Sequence, residues 1–110
     1  MRAAALLTEA GFEVSQPIFP AVYDLLARNA DTGEYIRVQV KTVRRRNDRP
    51  GNCAVIYATR GDGTAYLPAD VDYMLGIEGN VGYYFKCRGI KEYWINTDKN
   101  NGPTEYITLG

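Results

Sequence analysis

From Tyr35 to Thr42 the chain alternates: Ile36, Val38 and Val40 fall on one side of an extended strand, and Tyr35, Arg37, Gln39 and Lys41 on the other. A period of two is the signature of a sheet with one buried face. Val22 to Arg28 follows a connector as a strand, and Asp31-Thr32-Gly33 supplies turn chemistry before Tyr35 to Val43, so Val22 to Val43 reads as an antiparallel hairpin. Upstream, Arg2 to Ala10 is rich in Ala, Leu and Glu and ends at Gly11, which predicts a short amphipathic helix with a glycine C-cap. Phe12 to Ser15 fits a short strand. The connector Gln16 to Ala21, with Pro17 and Pro20, cannot lie inside a central strand.

Beyond the hairpin an arginine-rich loop runs to Pro50-Gly51-Asn52, followed by a strand from Cys53 to Thr59. Gly61-Asp62-Gly63 is a hairpin turn. It lacks the lysine and following helix of a phosphate loop. Pro68 to Asp72 suits a helical turn before a strand from Tyr73, Gly79 to Gly82 is a tight connection into Tyr83 to Cys87, and Glu92 to Ile95 is a further strand. Asp98 to Pro103 reads as a polar loop or frayed tail, loose from about residue 98. One helix and a meander of strands make a single mixed-sheet domain over residues 1–110, of α/β or α+β class.

Composition narrows the chemistry. The chain has 110 residues, 45% hydrophobic and 24% charged, with no apolar run long enough to span a bilayer and no secretory signal pattern, so a cytoplasmic globular protein is expected. Cys53 and Cys87 are too few and too far apart for zinc spacing and read as free buried thiols. With no histidine anywhere, a Ser-His or Cys-His nucleophile and a histidine-held metal are excluded. Carboxylate, lysine, tyrosine or a hard metal ion must carry any reaction.

Net charge is zero, yet Arg37, Lys41, Arg44, Arg45, Arg46 and Arg49 against Asp48 give plus five within thirteen residues. Such a run is either a solvated loop or an edge that grips phosphates, since arginine forks match phosphate oxygens. Asp24 stands among apolar neighbours in AVYDLLA, where an aspartate needs a partner or a metal. The hairpin sets its strand beside Gln39 and Lys41. Two readings follow: a cross-strand Asp24–Lys41 ion pair with Gln39 as spacer, or a Mg²⁺ site in which Asp24, the Gln39 amide oxygen and the Val40 backbone carbonyl are hard oxygen ligands. In the second reading Lys41 orients the attacking water and neutralises charge growing on phosphorus. Asp70 and Asp72 bracket Val71 as a turn cap or a further metal pair, and the nine tyrosines pack on the sheet, stack on bases or form a subunit interface.

An aspartate, a turn and a strand ending in x-x-Lys, here YD and TGEYIRVQVKT, with DVDYMLGI and YYF further on, resemble the PD-(D/E)XK nuclease superfamily. The likeness runs from about Ala3 to Phe85 and is nearest to its small group I intron homing endonucleases, with Holliday-junction resolvases more distant. It implies the restriction-endonuclease-like order of helix, three-stranded meander, helix and further strand. It also implies a Mg²⁺-dependent DNA endonuclease, Mn²⁺ being the possible substitute, with Asp24, Gln39 and Lys41 as catalytic residues and Asp24, Gln39 and Val40 on the metal. DNA would be gripped by Arg37, Arg44, Arg45, Arg46 and Arg49, and cutting both strands calls for a homo-oligomer, dimer or tetramer. Tyr23 replaces the proline of the family name, and Gln39 stands where most members carry an acid, giving a Gln-x-Lys motif. Glu9 is expected on the solvent face of the helix. The alternatives are a nuclease fold without turnover that binds DNA or a protein, and a structural β-rich protein associating through its tyrosines.

Overall fold

The computed structural model describes residues 2–46, 53–95 and 105–108. Helix α1 (Arg2–Glu9) is followed by strands β1 (Phe12–Ser15), β2 (Leu25–Asn29), β3 (Tyr35–Thr42), β4 (Arg44–Arg46), β5 (Cys53–Tyr57), β6 (Tyr73–Glu78), β7 (Val81–Lys86), β8 (Glu92–Ile95) and β9 (Glu105–Thr108). A six-stranded mixed sheet runs β1-β2-β3-β6-β7-β9, and a three-stranded antiparallel sheet runs β4-β5-β8. The α+β class is as expected, and β1, β3, β6 and β8 form where alternation put them.

Ala3, Leu6 and Leu7 are the buried residues of α1, spaced to share one side of the helix. Ala3 and Leu7 pack with Leu25, Ala27, Val38 and Leu75 on one face of the large sheet, where Ile36 and Val40 also lie. The other face meets the small sheet through Val43, Ala54, Ile56, Ala58, Met74, Phe85 and Tyr93. Three layers result. Because β3 alternates, Ile36, Val38 and Val40 face the helix while Arg37, Gln39 and Lys41 turn toward the small sheet.

Three features depart from the expectations. β2 begins at Leu25 rather than Val22, and the chain bends through Val22–Asp24. Arg44–Arg46 is a strand and not a loop, in register with β5 as Arg44↔Val55 and Arg46↔Cys53. The parallel step from β3 to β6 has no helix among the described residues, although the nuclease resemblance implied one; the small sheet fills that layer instead. Only the helical turn survives, with Val71 N–H donating to the Leu67 carbonyl at 3.0 Å. The residue run Asp98–Pro103 lies outside the described residues, and β9 beyond it pairs antiparallel with β7. Cys87 is a buried free thiol, as expected, whose Sγ donates to the Tyr66 carbonyl at 3.3 Å. No helix among the described residues is long and apolar enough to cross a membrane.

The two sheets are in close contact at Gly76, which stands beside Lys41 in the β3–β6 register. A Cβ there would lie 2.7 Å from Ile56 Cγ2 and 3.2 Å from Val43 Cγ2. Both methyls belong to stiff β-branched side chains in the core, so neither yields cheaply. Gly76→Ala is expected to lose about 1–3 kcal/mol in urea unfolding with an unchanged slope. Wild-type stability in that variant would contradict the close contact.

Candidate active site

Asp24 occupies the point where the chain enters β2. Its N–H donates to the Val38 carbonyl at 3.0 Å, and its Oδ2 accepts the Val40 N–H at 3.1 Å. The β2–β3 ladder stops at Leu25↔Val38, so the side chain replaces the backbone partner that Val40 would otherwise find. One carboxylate oxygen is thereby fixed against β3. The other, Oδ1, has no partner among the described residues. In a strand the N–H and C=O of one residue point the same way, so the Val40 carbonyl also faces the Asp24 side.

Gln39 is the buried polar residue among the described residues, at 7% exposure, and its Oε1 is shielded with no hydrogen-bond partner among them. An orphaned buried carbonyl costs about 1–3 kcal/mol and calls for an explanation. Lys41, one pleat further on, is half-buried with Nζ 5.2 Å from the centre of the Tyr66 ring. No Asp24–Lys41 ion pair forms. The alternative in which Lys41 merely neutralises Asp24 is therefore not what the chain builds.

The arginines divide by partner. Arg37 is turned inward: Nε and Nη2 bind the two Asp72 oxygens at 3.1 and 3.0 Å, Nη2 also reaches the Pro68 carbonyl at 3.2 Å, and its backbone N–H donates to Asp72 Oδ2 at 2.7 Å. Its fork holds the 68–72 turn, and Asp72 is the carboxylate it binds. The Arg37 hydrogen bond holds the Asp72 carboxyl below its ordinary value, and burial opposes this only in part. Depressed in the folded state, the group contributes stability above the unfolded aspartate value near ~3.9, and loses it as pH falls through the folded one. Glu78 behaves alike through Arg45, its Oε2 accepting from Arg45 Nε at 2.7 Å. Acid unfolding followed by circular dichroism should therefore set in below about pH 4, and Asp72→Asn should flatten that limb. An identical acid limb in the variant would contradict the coupling.

Arg44 is exposed with no acidic partner among the described residues, Arg45 is paired to Glu78, and Arg46 Nη1 donates to the Tyr57 hydroxyl at 2.6 Å. Arg49 lies outside the described residues. Glu9 is exposed as expected, and no cluster of three Asp, Glu or Cys forms a metal group among the described residues. Tyr57 and Tyr66 stand at the site without having been singled out in the sequence. The alternation of β5 turns Tyr57 outward and was the available signal; for Tyr66, in a loop, there was none.

No family model matches the sequence, and no curated protein matches it. Among solved structures the fold is similar to that of a bacterial homing endonuclease, I-Ssp6803I, with a TM-score of 0.63. The chain shares the fold of that structure. The two share 20% identity over 94% of this chain and 75% of that one, a likeness of fold. In that fold Asp24 stands where the chain enters β2, bonded to the Val40 backbone at the end of the β2–β3 ladder, and Gln39 and Lys41 flank Val40 on β3.

Proposed function

We propose that the protein is a Mg²⁺-dependent DNA endonuclease of the PD-(D/E)XK type with a Gln-x-Lys motif. The observation that carries the reading is the buried, unpartnered Oε1 of Gln39 one residue from the Val40 carbonyl and from the N–H that fixes Asp24. Carboxylate, amide carbonyl and backbone carbonyl form a donor set of hard oxygens suited to Mg²⁺, or Mn²⁺, with water completing the shell. Bound there, the ion would supply Lewis-acid polarisation and a more acidic water for phosphodiester hydrolysis.

The chain's own residues do the rest. Asp24, locked by the Val40 N–H, presents one oxygen without rotamer freedom to lose. Lys41 is held over the Tyr66 ring, where its ammonium can donate to the attacking water and to the phosphoryl oxygens on which charge grows. Arg44 and Arg46 supply backbone grip, and Arg45 is partly neutralised by Glu78. One site per small chain cuts one strand, so a homo-oligomer is proposed for double-strand cleavage.

The test is nicking of supercoiled plasmid with Mg²⁺ by the wild type and by Asp24→Ala. Loss of nicking in the variant supports the reading, and equal activity ends it. The neutral Gln39 favours one second reading, a nuclease fold that binds DNA without cutting; it requires salt-sensitive binding that ignores Mg²⁺ and no nicking with any divalent ion.

A further inference from the structure

Between β3 and the edge of the small sheet lies an open cleft of about 350 Å³, lined by Val40, Lys41, Thr42, Arg44 and Tyr57. Its lining holds two cations and a phenol and no acid. The β4–β5 register puts Arg44 opposite Val55, so that Arg44, Arg46 and Tyr57 share the outward face of that sheet. Tyr57 is pinned there, because its oxygen accepts from Arg46 Nη1 at 2.6 Å. An oxygen that accepts keeps its own hydrogen to give, and this hydrogen has no acceptor among the described residues. A fixed O–H donor and an exposed guanidinium, lining one cleft with Lys41, form an anion seat.

We infer that this cleft holds a second backbone phosphate of DNA, next to the one hydrolysed, with Arg44 as its charged contact and Tyr57 as its neutral hydrogen-bond donor. The inference rests on the nuclease reading. It adds a contact that orients the strand: the phosphate must lie on the Thr42 side of Lys41, so the backbone runs from the Asp24 end of β3 out along the β4–β5 face. Tyr57 is a positioning residue, since it touches a phosphate that does not react.

The experiment measures binding of a mixed-sequence duplex as a function of salt, in EDTA, so that turnover plays no part. Arg44→Ala should reduce the slope of log affinity against log salt by about one, as loss of one phosphate contact requires. Tyr57→Phe should weaken binding roughly tenfold with the slope unchanged, because a neutral donor releases no counterion. If Tyr57 only restrains Arg46, the same variant leaves binding level or tighter. Either of those results, or two variants that bind like the wild type, overturns the inference and leaves the nuclease reading intact. A wild type that does not bind DNA at low salt overturns the nuclease reading itself.

Discussion

Replacing Lys41 with methionine should reduce Mg²⁺-dependent plasmid nicking by roughly a hundred- to a thousand-fold, the usual effect of removing one pre-aimed donor from a reacting oxyanion. The fold should survive it. Lys41 is half-buried, and no ion pair among the described residues depends on it, while methionine keeps an unbranched apolar stem to lie against Tyr66. Circular dichroism and the urea midpoint should match the wild type, and binding measured in EDTA should fall only by the share of one cation. Retained nicking with retained fold would remove Lys41 from the chemistry. Lys41→Arg is a useful companion, because a guanidinium is longer and planar and should not restore the rate.

Gln39→Leu should separate stability from function. The wild-type side chain buries an oxygen without a partner among the described residues, so a leucine of similar volume should stabilise the chain by about 1 kcal/mol in metal-free urea unfolding. Nicking should nonetheless disappear. A second difference follows from linkage: Mg²⁺ added to the wild type should raise its unfolding midpoint, since an ion that binds only the folded chain stabilises it, and the leucine variant should not respond. Gln39→Glu should do the reverse. Beside Asp24 it adds a second carboxylate that is costly when buried without an ion and helpful with one, giving a less stable apo chain and tighter metal binding. A leucine variant that is destabilised would mean that Gln39 is an ordinary packed residue.

The sequence carried much of this arrangement and missed its connections. Alternation in β3 was enough to put Gln39 and Lys41 on one face, and Asp24 among apolar neighbours was enough to mark it for a partner. The partner itself was not legible: Asp24 meets the Val40 backbone, which every residue possesses, so no side-chain pattern announces it. The burial of Gln39 depends on the small sheet laid over β3. That sheet was missed because Arg44–Arg46 has no apolar alternation and becomes a strand only by pairing with β5. The same cause replaced the crossover helix. Arg37 looked like its basic neighbours, and what sets it apart is Asp72, 35 positions away in sequence. Gly76 could be read as a glycine in a strand, whereas the Ile56 methyl that forbids a side chain there belongs to tertiary packing.

Asp24, Gln39 and the Val40 carbonyl are proposed to form one divalent-cation site. Calorimetric titration of Mn²⁺, a close analogue of Mg²⁺ for oxygen ligands, into the wild type, Asp24→Ala and Gln39→Leu addresses it without any DNA. The expected result is saturable binding of one ion per wild-type chain, abolished in Asp24→Ala and in Gln39→Leu. Equal binding in all three proteins, or none in the wild type, would contradict it.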